Sequence, residues 1–118
     1  MLYFGQHSGR DTRSHAQFRN GQIEAFSKPS DLGADLIKIF PAEFFGPAYI
    51  KSLRAVFPKL DFLPTGGVTT RTLGDFLRAG AFATAAGSAL VEPAALKARD
   101  WAAVTARARE FAAAAAAA

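Results

Sequence analysis

The chain contains no cysteine, so neither a disulfide nor a thiolate metal site can form. It has two histidines, His7 and His15, and neither stands at a spacing that would bring further ligands to a metal. No metal and no other cofactor is therefore expected. No apolar run is long enough to span a bilayer. The opening Met1-Leu2-Tyr3-Phe4 has neither the basic lead nor the long apolar run of a signal peptide. A membrane partner is not expected, and the sequence fits a cytoplasmic protein. Acidic residues are in the minority, 10 against 14 basic ones, for a net charge of +4. A surplus so small and so scattered suits an anionic small molecule and argues against nucleic acid.

What is present is enough for one domain. Half of the 118 residues are apolar, so a core can form. An eight-fold α/β barrel typically needs about 250 residues, so only part of one would fit here. Residues 1–31 read as an irregular leader, because no period of 2 or 3.6 persists in them. Phe18, Ile23 and Phe26 could anchor a short helix or a docked arm there.

From Gly33 onward the pattern is regular. In Asp35-Leu36-Ile37-Lys38-Ile39-Phe40-Pro41-Ala42-Glu43, strand geometry sends Ile37 and Ile39 to one face and Leu36, Lys38 and Phe40 to the other. Two apolar faces belong to a parallel sheet flanked by helices. Pro41 ends the ladder and leaves Lys38 near the carboxyl end of its strand. Gly46-Pro47 opens a helix with Ile50, Leu53 and Phe57 on its apolar side, stopped before Pro58. Leu60 to Pro64 is a second strand. Thr69 or Thr70 caps a helix whose Leu73, Phe76 and Leu77 face inward, and Gly80 ends it. Phe82 to Ala86 is a third strand. Pro93 starts a short helical turn. Asp100 caps a last helix with Trp101, Val104, Ala108 and Phe111 on one side. Strands alternating with helices in this way build parallel α/β structure.

Lys38 has two readings on spacing alone. It is a strand-end lysine whose stem runs to solvent, or an amine whose charged form is disfavoured by desolvation and which attacks carbonyls. Thr65-Gly66-Gly67 and Gly87-Ser88 follow the second and third strands. Glycines there let the backbone turn sharply and bring amide hydrogens to an anion. In barrels a phosphate commonly lies between two such loops. Either pair alone is an ordinary turn; both together, beside a candidate amine, favour a phosphate site.

The runs Gly33 to Glu43, Pro64-Thr65-Gly66-Gly67-Val68 and Gly87-Ser88-Ala89-Leu90-Val91 resemble the 2-keto-3-deoxy-6-phosphogluconate (KDPG) aldolase family, which includes the bifunctional 4-hydroxy-2-oxoglutarate (KHG) aldolases. The resemblance runs from about Leu32 to about Phe111 and covers only the carboxyl-terminal portion of such an enzyme. It implies a partial TIM-type (β/α) barrel over 32–118, with about three parallel strands and flanking helices, the amino-terminal strands being missing. It also implies a metal-free class I aldolase in which Lys38 forms a Schiff base. Phe40 would pack beside the imine and Thr65 would hold the keto-acid carboxylate. Gly66, Gly67, Gly87 and Ser88 would hold the phosphate of a phosphorylated keto acid.

A homo-oligomer, a trimer by resemblance, would follow. An alternative is a catalytically silent part-barrel that binds a phosphorylated anion or associates with other chains. The family's general base, a glutamate on an early strand beside an arginine, has no counterpart motif here, and Glu24 lies where the resemblance is lost. Glu43 follows the lysine strand and could approach the site, a weaker reading than that of a solvated acid at a helix start. Asp35 and Glu92 read as turn or cap residues.

Overall fold

In the computed structural model of the protein, residues 2–5, 15–19 and 36–118 are described. Among them are five strands, β1 (Leu2–Gly5), β2 (His15–Arg19), β3 (Leu36–Phe40), β4 (Phe62–Pro64) and β5 (Ala83–Ala86). Four helices accompany them, α1 (Ala42–Val56), α2 (Leu73–Arg78), α3 (Pro93–Ala98) and α4 (Trp101–Ala116). β2, β3 and β4 form a parallel sheet in that order. A parallel bridge between Thr65 and Ala85 joins β5 to the end of β4, and the Phe82 N–H donates to the Phe62 carbonyl at 3.0 Å. β1 pairs with β5 in the antiparallel sense, Leu2 opposite Ala86.

The expectation of about three strands is thus corrected to five. Both additional strands come from the stretch read as irregular, and Phe18 belongs to β2 rather than to a helix or arm. Ile23, Glu24, Phe26 and Asp35 lie outside the described residues. The reason is physical: Leu2–Gly5 and His15–Arg19 stand among polar and glycine residues with no helix pattern between them, so nothing marks them as strands of an α/β unit. Their stability comes from the ladder to a neighbour, and only the fold supplies that neighbour.

Alternation in β3 sorts the core as its pattern implies. Ile37 and Ile39 join Phe62, Ile50 and Leu53 of α1, Leu73 and Phe76 of α2, and Phe111 of α4 in one buried cluster. α1, α2 and α4 therefore cover this face of the sheet. Leu36 shares the opposite face with Leu63, Ala83 and Ala85, a second buried cluster. Lys38 follows Leu36 in the alternation and belongs to that second face.

Local sequence explains most boundaries. α1 is two helical pieces joined at Gly46, whose φ of 67° and ψ of 178° break the helix, and Pro47 begins the second piece. Asp100 caps α4 by accepting the Ala103 N–H at 2.9 Å. Two details differ from expectation. α2 begins after Thr72, not after Thr69 or Thr70; the Thr72 hydroxyl accepts the Thr69 N–H at 3.0 Å and turns the chain before the helix starts. Trp101 is 60% exposed, and of its stripe Ala108 and Phe111 pack in the core cluster. Trp101 is the first residue of α4, ahead of the part that packs on the core.

Candidate active site

β2, β3, β4 and β5 run the same way, so their carboxyl ends share one edge. Chemistry in α/β barrels gathers at that edge. Lys38 lies in the third position of β3, in register with Gln17 of β2 and Leu63 of β4. It is half-buried between the buried Ile37 and Ile39. Among the described residues the ion pairs are Arg54–Asp61, Arg78–Asp75 and Arg107–Glu110, none of which engages Lys38.

Two residues further on, the Thr65-Gly66-Gly67 loop folds over the end of β3. The Thr65 N–H donates to the Ile39 carbonyl at 2.9 Å. The Ala42 N–H donates to the Thr65 carbonyl at 2.8 Å and the Glu43 N–H to that of Gly66 at 3.1 Å. Amides at a helix start lack intrahelical partners. Pro41 offers no side-chain cap, so the loop carbonyls satisfy two of them. The cap of α1 is therefore built by the glycine loop.

Both glycines are required by geometry. Gly66 has φ of 87° and Gly67 φ of 72°, the left-handed region that disfavours a side chain. A Cβ on Gly66 would sit 2.8 Å from the Phe40 ring, and one on Gly67 would run into the Glu43 side chain. Phe40, 41% exposed, thus lies on the Gly66 backbone, and the exposed Glu43 lies over Gly67. Thr65 is buried, and its bridge to Ala85 sets the loop beside β5.

Gly87 and Ser88 follow β5 directly, both exposed. The Gly87 carbonyl accepts the Leu90 and Val91 amide hydrogens at 3.0 and 2.9 Å, which closes the turn. No described residue accepts the amide hydrogen of Gly67 or Ser88. The structure hence gathers Lys38, Phe40, Glu43, Thr65, Gly66 and Gly67 at the ends of β3 and β4, with Gly87 and Ser88 just past the end of the adjoining β5. Glu92 stands at the start of α3 and makes no side-chain cap bond. Among the described residues no group of three His, Asp or Glu side chains could hold a metal, and no helix is long and apolar enough to cross a membrane.

A family model described as KDPG and KHG aldolase matches residues 22–107, well over half of the chain. The chain belongs to the KDPG and KHG aldolase family. Its match opens at residue 22, earlier than the Leu32 expected from motifs alone. The chain is 43% identical over 68 residues to the 2-dehydro-3-deoxy-6-phosphogalactonate aldolase of Escherichia coli (strain K12), covering 57% of this chain and 33% of that protein. It is 38% identical over 74 residues to a 2-dehydro-3-deoxy-phosphogluconate aldolase of Pseudomonas aeruginosa, covering 62% and 34%. A solved 4-hydroxy-2-oxoglutarate/2-dehydro-3-deoxyphosphogluconate aldolase superposes with a TM-score of 0.66 at 29% identity, covering 80% of this chain and 44% of that one. A native KDPGal structure gives 0.58 at 33% identity, covering 82% and 48%. The chain spans about a third of the length of these curated relatives.

One contact at this edge has no counterpart in the motifs. Arg107, on α4, donates from Nε to the Ala89 carbonyl at 3.1 Å, across 18 positions. No local pattern links residues so far apart, so the sequence carries no signal for it.

Proposed function

We propose that the chain is the carboxyl-terminal part of a class I aldolase, with Lys38 as its Schiff-base nucleophile towards a 2-keto acid. The observation that carries this reading is the position of Lys38. It is half-buried, one residue short of the strand's penultimate position, with the Thr65-Gly66-Gly67 loop folded over the strand's end. The Lys38 amine would add to the ketone and lose water to give an iminium. The iminium draws electrons from the next carbon–carbon bond, which breaks as the substrate hydroxyl loses its proton. An aldehyde leaves, and the enamine that remains is protonated and hydrolysed to pyruvate, freeing the lysine.

The substrate would be 2-keto-3-deoxy-6-phosphogluconate, giving glyceraldehyde 3-phosphate, or 4-hydroxy-2-oxoglutarate, giving glyoxylate. The name of the Pseudomonas aeruginosa relative supports the first, and that of the solved neighbour carries both. Phe40 would form one wall beside the imine, and Thr65 would hold the keto-acid carboxylate. The amides of Gly66, Gly67, Gly87 and Ser88 would take the phosphate, a use suited to backbone that turns at glycine beside a ligand. Glu43, lying over Gly67, is the described carboxylate placed to take the hydroxyl proton. It is exposed to solvent, and no described residue holds it towards Lys38. Pyruvate release, followed in a coupled assay, is accordingly expected to be detectable but very slow. Self-association, as a trimer by resemblance, belongs to the same proposal.

The test of the nucleophile is reductive trapping with pyruvate and borohydride, read by mass; folded protein that takes up no adduct would end the assignment. A second reading, a part-barrel that binds a phosphorylated anion without turning over, gains support from the exposure of Glu43 to solvent. It predicts phosphate binding without pyruvate release. In either case inorganic phosphate should compete with a phosphorylated ligand, and Ser88→Asp should abolish that competition by placing a like charge in the turn. Competition that survives Ser88→Asp places the phosphate elsewhere.

A further inference from the structure

The Gly87–Ser88 turn has almost nothing of its own to hold it. Both residues are exposed, and a side chain built at Gly87 would meet no atom within 4 Å. Its anchors lie just beyond. Leu90 is buried at 1% exposure, and the two amide bonds to the Gly87 carbonyl close the turn. The third anchor is Arg107, whose Nε donates to the Ala89 carbonyl at 3.1 Å. Arg107 is itself held on two sides. Its terminal Nη1 pairs with Glu110 Oε2 at 2.6 Å, and its guanidinium lies 5.6 Å from the centroid of the buried Phe111 ring. Phe111 belongs to the main core. A guanidinium fixed at three points loses little freedom on making each bond, so a rigid helix is coupled to an otherwise loosely held turn.

We infer that Arg107 is a positioning residue that sets the Gly87–Ser88 turn for its anion through the Ala89 carbonyl. The inference rests on the phosphate reading of that turn. Arg107 touches no reacting atom; it decides how well the Ser88 amide is aimed. Its loss should weaken phosphate binding and leave imine formation at Lys38 unchanged, since Lys38 sits two strands away on β3.

The variants are Arg107→Met and Arg107→Lys. Lysine keeps the stem and the charge but has a methylene where Nε stands, so it separates aim from charge. Two quantities are read on the full chain, inorganic phosphate affinity by amide shifts and hydrogen exchange at Leu90 and Val91. Both variants are expected to bind phosphate about tenfold more weakly, the scale of one charge-assisted bond. Exchange at Leu90 and Val91 should quicken about tenfold as the turn opens locally. Pyruvate trapping at Lys38 should match wild type.

Full phosphate affinity in Arg107→Lys with a loss in Arg107→Met would overturn the inference, since charge alone would then account for the effect. Unchanged exchange at Leu90 and Val91 in both variants would overturn it as well. Wild-type chain that binds no phosphate would sink the phosphate reading of the turn, and with it the anion-setting role; faster exchange in the variants would then show anchoring alone.

Discussion

Reductive trapping with pyruvate is expected to place one adduct on the wild-type chain, on the peptide that carries Lys38, and none on Lys38→Ala or Lys38→Arg. Arginine keeps the positive charge but offers no amine nucleophile near neutral pH, so loss in both variants separates chemistry from simple anion attraction. Lys51, Lys59 and Lys97 serve as internal controls, because all three are exposed on helices or turns of this same chain. An ordinary exposed lysine is protonated at neutral pH and reacts slowly. Lys38 differs in standing on the sheet face shared with Leu36 and Leu63, with the Phe40 ring and glycine loop at the end of its strand. An adduct spread evenly over the exposed lysines would mean that this setting confers no reactivity. Lys38→Ala should fold like wild type, since the side chain it removes is only half-buried.

Phe62→Ala should have the largest effect on stability. Phe62 is completely buried in the first position of β4, and β4 lies between β3 and β5. Its ring belongs to the cluster that joins β3 to α1, α2 and α4. Deleting a buried Phe ring typically costs about 3–5 kcal/mol, because the surrounding side chains collapse only in part. Domains of this size are stable by roughly 5–15 kcal/mol, so the loss would consume much of the margin. The measurement is the midpoint of urea unfolding, with Phe44→Ala as the comparison. Phe44 is 79% exposed and should shift the midpoint little. Equal midpoints for the two variants would show that the cluster around Phe62 does not hold the sheet together.

The readings that held were those made from neighbouring residues. The alternation around Lys38 marked β3 and sorted its two faces, because successive strand residues point in opposite directions whatever lies beyond them. Gly46-Pro47 marked the break in α1, and Asp100 marked the start of α4, since caps and breakers act within one helical turn. The Thr65-Gly66-Gly67 turn was legible for the same reason: positive φ at two successive positions admits glycine and little else.

What was missed depended on residues far apart in the chain. β1 and β2 pair with β5 and β3, and no alternation of strand and helix patterns surrounds them in the sequence to declare that pairing. Trp101 fits the apolar stripe of α4, yet it stands out in solvent because the helix packs on the core through Ala108 and Phe111, further along. Glu43 reads first as a helix-start acid and only weakly as a site carboxylate. Only the closure of the glycine loop laid it over Gly67.

By itself, then, the amino-acid order determined β3, the break in α1, the cap of α4 and the resemblance to the family, since short-range sterics and three ordered motifs are written in adjacent residues. Tertiary structure alone decided which strands flank Lys38, which loop covers the end of its strand, and that Arg107 reaches back 18 positions to Ala89. Those contacts arise when buried apolar faces bring distant segments together, and burial is a property of the assembled chain rather than of any one stretch.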